Sequence, residues 1–431
     1  MRAIKLGVGI IILIVAGALL ANERIPFVGE VAGLAFTFGA ILLFCYLVAL
    51  IAVKAVALLW WSVWGRKLER EEASEGQIAT MWRYLKKHQL AMIGGYTLIV
   101  LYVVVLFGDF IAPYPLTLQN RRNTLQPPTP IYFWDYGGRF SFRPFIYEYR
   151  PQTDPDTLAK TYKADKSKKY HLGFFVRGSE YRLWRVFKTN WHLLGVEGGK
   201  RIFLLGSDDF GRDLFSRLVH GGKVSLSIGL AGAFISFPIG MLMGGISGYF
   251  GGRIDNVIQR TIELVQSVPT IYAFFALRAV FPPSMPSGDV FIVLTAIFAL
   301  LGWTGLARVI RGMVLSLKEQ EFSLGAKALG AGTARIIVRH ILPNTFSYLI
   351  VSLTLGIPGA ILGESALSVL GLGIQEPYAS WGNMLAVAKA VNVITSSPWL
   401  LIPGLAIFIA ILSWNLLGDG LRDATDPRHV S

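Results

Sequence analysis

"EQEFSLGAKALGAGTARIIVRHILPN", Glu319 to Asn344, decides how the rest of the chain is read. It joins a polar segment, a Gly330-Ala331-Gly332 break and a second, basic segment, yet the runs on either side are apolar enough to cross a bilayer. From Ser316 to Leu329 the pattern predicts a helix with an apolar side made of Leu317, Phe322, Leu324, Ala328 and Leu329. Gly330 and Gly332 supply conformations that other residues resist, Thr333 is placed to cap the next helix, and Pro343 closes the hairpin. The residues alone leave open an amphipathic loop on the lipid surface, with Arg335 and Arg339 one turn apart, and more remotely a DNA-reading helix-turn-helix.

Composition supplies the setting. Of 431 residues, 53% are hydrophobic and 16% charged, and the mean hydropathy is +0.51. That is more apolar and less charged than a soluble domain, so the chain reads as a polytopic membrane protein. The net charge of +14 would raise nucleic acid as a partner for a soluble chain. In a membrane protein, basic residues set orientation and meet anionic lipid, so membrane lipid is expected as a partner and nucleic acid is not. The single Cys45 lies in an apolar run, which excludes a disulfide framework and a cysteine-based metal site.

A spanning helix needs about 20 apolar residues, and the runs that qualify are 6–22, 31–53, 90–112, 224–248, 257–280, 289–309, 344–366 and 397–418. The first follows Arg2 and Lys5 as a signal peptide would, but "ALLANERIPF" is an imperfect cleavage site, so a retained hairpin over 1–65 is expected, followed by a linker over 66–89. Basic residues concentrate in 54–89 and 310–343, which places both in the cytoplasm. Segment 367–396 has only Lys389 and faces out. The loop from Pro113 to about Lys223 is also external, and loops of that length escape the charge rule. Within it, 113–203 reads as an insert of short strands and turns, because Pro and Gly punctuate its aromatics and no helical stripe persists.

Catalytic patterns are missing. No G-x-x-x-x-G-K-[ST] phosphate loop, H-E-x-x-H or G-x-S-x-G occurs, and the six His residues are scattered. Hence no catalytic, cofactor-binding or metal-binding residues are assigned. Two other classes are considered. An ion-coupled carrier needs ionisable groups at the bilayer midplane, where these spans carry almost none, and a membrane-anchored enzyme or scaffold needs a catalytic cluster outside.

The hairpin resembles the cytoplasmic loop of ABC-importer permeases, which carries E-A-A, three residues, Gly, and a terminal Leu-Pro. Ala326 matches the third motif position, Gly330 the glycine and Leu342-Pro343 the end, while Leu324 and Gly325 replace the usual Glu and Ala. Further matches are "LGSDDFGRDLFSRLVHGGKVSLSIGL" (205–230), "GYFGGRIDNVIQRTIELVQSVPT" (248–270), "RVIRGMVLSLKEQEF" (308–322), "GESALSVLGLGIQEPYASWGNML" (363–385) and "NLLGDGLRDATDPR" (415–428). Together they resemble the C-type permease subunit of dipeptide and oligopeptide ABC transporters, over about 82–112 and 204–428.

The resemblance implies an all-α polytopic protein with a six-helix type I importer core: a first core helix at 90–112, then 204–428 with a coupling loop at 310–343. To that core this chain adds the N-terminal hairpin and the external insert. It implies a bacterial or archaeal cytoplasmic membrane, a second homologous permease, two ABC ATPases that hold ATP and Mg, and an extracytoplasmic solute-binding protein. Phe322, Leu324, Gly325, Ala326, Lys327, Ala328, Leu329 and Gly330 are then expected at the ATPase surface. On the outer side, "GSDDFGRD" (Gly206 to Asp213) is a helix-entry cap through Asp209 or Ser207, or a gate in which Asp209, Arg212 and Asp213 take part. Glu364 either lines the pathway or bonds the re-entrant "LGLG" backbone, and Trp381 is expected as an interfacial anchor. Peptides are the implied solute, although relatives of this architecture also serve nickel, glutathione-like compounds and oligosaccharides.

Overall fold

The computed structural model describes residues 77–425, apart from 136, 154–159, 185, 197–199, 281, 283–284 and 390. The expected N-terminal hairpin over 1–65, with its runs 6–22 and 31–53, lies outside the described residues, as does most of the 66–89 linker. Contacts divide the chain into two units. One has its described residues in 99–223 and 387–403, the other in 64–98, 224–386 and 404–431.

The helices in chain order are α1 (Gln77–Lys87), α2 (Gln89–Leu106), α3 (Gly108–Ile111), α4 (Leu214–Phe250), α5 (Gly252–Ser267), α6 (Thr270–Ala279), α7 (Ser287–Leu317), α8 (Glu321–Ala328), α9 (Thr333–Val369), α10 (Trp381–Ala386), α11 (Val391–Ser396) and α12 (Pro398–Thr425). Among them α2, α4, α7, α9 and α12 are long and apolar enough to cross a membrane. Several are longer than their apolar runs, because the helical hydrogen-bond ladder continues into the polar flanks. The 257–280 run differs from expectation, since it is not one helix. Val268 precedes Pro269 and is extended (φ −90°, ψ 120°), as the proline ring demands of its predecessor. The segment therefore splits into amphipathic α5 and the ten-residue α6, which follow one another along α7 from the Asp255–Arg311 pair, through Gln266 on Thr304, to Phe274 on Phe298.

What sets the spacing of α4 and α7 is a row of glycines one turn apart. A Cβ on Gly240, Gly244 or Gly248 would lie 3.0, 2.5 or 2.7 Å from the carbonyl oxygens of Trp303, Ala307 and Arg311 respectively. Without side chains, α4 comes into backbone contact with α7, the arrangement small residues allow between helices in lipid. Next to this contact Arg311 grips Asp255 of α5 with Nε and one terminal nitrogen, each at 2.6 Å, holding that carboxyl below the usual carboxylate range. Below the glycine row, Ile310, Val314, Ile336, Ile337, Ile341 and Leu342 form one buried cluster shared by α7 and the start of α9.

In the other unit the chain builds a four-stranded antiparallel sheet in the order β1 (Tyr132–Trp134), β2 (Phe140–Thr153), β3 (Lys160–Leu183), β4 (Phe187–Val196). The strands are not short: β3 has 24 residues and pairs with β2 up to His171, then with β4 from Leu172 onward. Phe145, Ile146 and Tyr147 of β2 are buried, and His192 of β4 bonds the Ala112 carbonyl at 2.8 Å. Apolar-polar alternation weakens along β3, which is mostly exposed, and that is why the sequence suggests shorter pieces.

Gly244→Leu is expected to force α4 and α7 apart. Overpacking of this kind costs about 1–3 kcal/mol, so the purified variant should melt at a lower temperature and accumulate poorly. Gly305→Ala, whose added Cβ would meet nothing within 4 Å, should match the parent.

Candidate functional site

The Glu319–Asn344 hairpin is a compact two-helix turn. Lys318 to Gln320 separate α7 from α8, so the expected single helix over 316–329 is interrupted. Gly330 has φ +78°, its N–H donates to the Lys327 carbonyl, and the Ala331 N–H donates to the Ala326 carbonyl, both at 3.0 Å. This is a Schellman ending, with glycine at the left-handed position and Ala326 meeting Ala331 on the apolar cluster beneath. Thr333 does not cap the next helix. Gly332 occupies the cap position and makes no side-chain bond, leaving Thr333 as the first helical residue.

The eight residues singled out here divide by face. Ala326 is half-buried and turned inward with buried Ser323, whereas Phe322, Leu324, Gly325, Lys327, Ala328, Leu329 and Gly330 are exposed. Leu329 is 90% exposed. Phe322 and Leu324 on this short helix and Leu329 at its C-terminal cap are large apolar side chains left uncovered, a feature that marks interaction surfaces.

The loop before α4 caps that helix differently from the expectation. Asp213, not Asp209 or Ser207, is the cap: its Oδ2 accepts the Ser216 N–H at 2.8 Å and the Ser216 hydroxyl at 2.6 Å. Ser207 instead bonds Gln126 and Asn123, while Asp209 is exposed. Buried Asp208 takes the backbone N–H groups of Phe210 and Arg212, then pairs with Arg212 Nε at 2.7 Å and Arg217 Nε at 3.4 Å. Arg212 is thus a buried structural cation that also lies over the Phe210 ring. Gly206 (φ +84°) lets Trp399 pack close, and the Trp399 indole donates to the Ser207 carbonyl.

Glu364 is fully buried within α9. Its carboxylate receives the Ser368 hydroxyl at 2.7 Å and the Ser225 hydroxyl at 3.0 Å, and the Ser225 oxygen accepts the Trp381 N–H at 3.0 Å. The "LGLG" backbone serves itself instead, with the Gly371 N–H on Ser368 and those of Leu372 and Gly373 on Leu367. Trp381 is 2% exposed and is not an interfacial anchor. Gly382 beside it lets α10 lie against Ser365. Glu364 is therefore a tie between α4, α9 and α10. The signal for this was available in the Glu364–Ser368 spacing of one helical turn, but its partner Ser225 is 139 residues away. Along α9, Glu364 and Thr345 are separated by roughly 30 Å of helix, so the serine cage and the hairpin stand at opposite ends of one span.

Residues 236–430 match the family of binding-protein-dependent transport system inner membrane components, and residues 76–128 match the N-terminal TM domain of oligopeptide transport permease C. The chain is 33% identical to the dipeptide transport system permease protein DppC of Bacillus subtilis (strain 168) over 349 residues, covering 80% of this chain and 84% of that protein. This chain belongs to the binding-protein-dependent transport permeases. The permease is also similar to the oligopeptide transport system permease protein OppC of Haemophilus influenzae, 41% identical over 56% of this chain and 75% of that protein. A putative peptide permease protein of Brucella ovis is 39% identical over 58% of this chain and 81% of its own length. The permease is a multi-pass inner-membrane protein of the type I fold, and the family is one of membrane permeases rather than enzymes.

Burial pushes the Asp213 carboxyl up to about 7, against the lowering influence of the Ser216 donors. A raised acid contributes stability that is present below the ordinary value near 4 and is lost as pH rises through about 7. The melting temperature of the purified permease is therefore expected to fall between about pH 4 and 7, and Asp213→Asn should flatten that decline. Identical pH profiles for the two proteins would show that Asp213 is ionised throughout.

Proposed function

We propose that this permease is one half of the translocation pathway of an ATP-driven importer of peptides. The other half would be a second, homologous permease, two separate ATPases would bind ATP and Mg, and a solute-binding protein would deliver cargo outside. The observation that carries this reading is the exposed apolar surface of the α8 hairpin in a chain of this family: Phe322, Leu324 and Leu329 stand clear of their own fold. Such a face suits a groove on a cytoplasmic ATPase. The 310–343 loop would then be cytoplasmic, in keeping with its Lys and Arg, and the β-sheet insert external, where its length frees it from the charge rule.

In this mechanism the chain performs no chemistry. Closure of the ATPases on ATP draws the two coupling hairpins together and opens the pathway outward, and hydrolysis resets it. The energetic requirement is only that ATP-bound and ATP-free partners favour different states of the membrane helices. Peptide as the solute is supported by the relatives' names, which read dipeptide, oligopeptide and peptide permease.

Leu329→Glu tests the docking. A surface change at a 90% exposed site should leave the fold within about 0.5 kcal/mol, whereas loss of an interface anchor weakens binding by about 2 kcal/mol, roughly 30-fold. Pull-down of the ATPases should fall accordingly, and peptide uptake by the reconstituted complex should fall with it. Gly330→Asp should do the same by straining the φ +78° position. Leu324→Glu reports whether the groove is polar, as for the family's usual residue, or apolar to match this chain. Full ATPase binding and uptake in both Leu329→Glu and Gly330→Asp would reject α8 as the coupling element.

A further inference from the structure

The tip of the β3–β4 hairpin lies against the end of α2. The Trp184 indole N–H donates to the Leu106 carbonyl at 3.0 Å, and its ring lies 5.4 Å from that of Phe107. With 18 residues α2 is about 27 Å long, close to the roughly 30 Å of bilayer hydrocarbon. Its last carbonyls therefore sit where hydrocarbon gives way to headgroups, and the hairpin tip is fixed at that depth.

The turn itself is unusual. It is closed by the Val186 N–H on the Leu183 carbonyl at 3.1 Å, with Trp184 at φ 51°. A left-handed position in a turn is normally taken by Asn, Asp or Gly. A bulky aromatic held there is strained, and strain of this kind concentrates where a side chain has work to do. Val186 is 72% and Phe187 59% exposed, so the tip presents apolar groups where turns in water present polar ones. Just behind it, exposed Arg182 and Lys188 are register partners on adjacent strands. Lys188 also reaches Glu180 at 2.8 Å. Like charges directly opposite are unfavourable in water and favourable against lipid phosphates.

We propose that this tip is a membrane anchor for the sheet. Trp184, Val186 and Phe187 seat in the interfacial layer of the bilayer beside the end of α2, and Arg182 and Lys188 face the headgroups. Indole rings favour that layer because one edge is polar and the rest is not. The anchor is independent of the solute and of ATPase docking.

The test uses the full-length permease in nanodiscs of phosphatidylethanolamine and phosphatidylglycerol, with Cys45→Ser removing the single native thiol. Val186→Cys and Phe187→Cys are spin-labelled separately, with Ser167→Cys on exposed β3 as the water-facing reference. The expected result is strong relaxation by oxygen and several-fold weaker relaxation by a water-soluble nickel chelate than at Ser167. Nickel relaxation equal to the reference would overturn the proposal by placing the tip in water. Shielding from both reagents would also overturn it, by assigning the tip to a protein partner. Either labelled site suffices if the other variant fails to accumulate.

Discussion

Backbone contact between α4 and α7 is the constraint on which the larger helical unit depends. Lipid offers apolar side chains no gain on leaving it, so helices stay together there through close packing and polar ties. Gly240, Gly244 and Gly248 bring α4 onto the carbonyls of Trp303, Ala307 and Arg311, and everything near that seam follows. Arg311 is brought within reach of Asp255, which fixes α5. Met241 of α4 packs on the apolar cluster, and so does Leu306 of α7. The α8 hairpin then leaves α7 from a fixed position.

Much of this was legible in the sequence, because the bilayer constrains chains so severely. Apolar runs identified α2, α4, α7, α9 and α12, and glycine placement identified the α8 hairpin with its turn at Gly330. The failures have physical causes. The 257–280 run reads as one unbroken helix because its mean hydropathy is high, whereas Pro269 breaks it into α5 and α6. Thr333 has the chemistry of a cap, but the Schellman turn had already set the entry of the next helix through Gly332. Glu364 reads as a pathway or LGLG-backbone residue and Trp381 as an interfacial anchor because the partner they share, Ser225, lies far away in sequence. Local spacing reveals turns and caps, and it is blind to ties of 139 or 156 residues.

The polar ties also divide by location in a telling way. The Glu364 carboxyl group is served by hydroxyls, so one buried side chain ties α9 to α4 directly and to α10 through Ser225, by hydrogen bonds alone. The Asp208 cluster, in the other unit, adds guanidinium groups to its backbone donors. A buried carboxyl group is stabilised when several donors converge on it, and Ser225 of α4 and Ser368 of α9 supply them.

The inner side of the α8 hairpin has a mechanical consequence. Ala326 and Ala331 rest on the same buried cluster that joins Ile310 and Val314 of α7 to Ile336, Ile337 and Ile341 of α9. Close-packed interiors have low compressibility and transmit strain, so a load applied to Leu329 is not absorbed by bending of a tether. In the proposed docking it would reach both spans together as a torque, with the hairpin as a crank of little compliance rather than a spring.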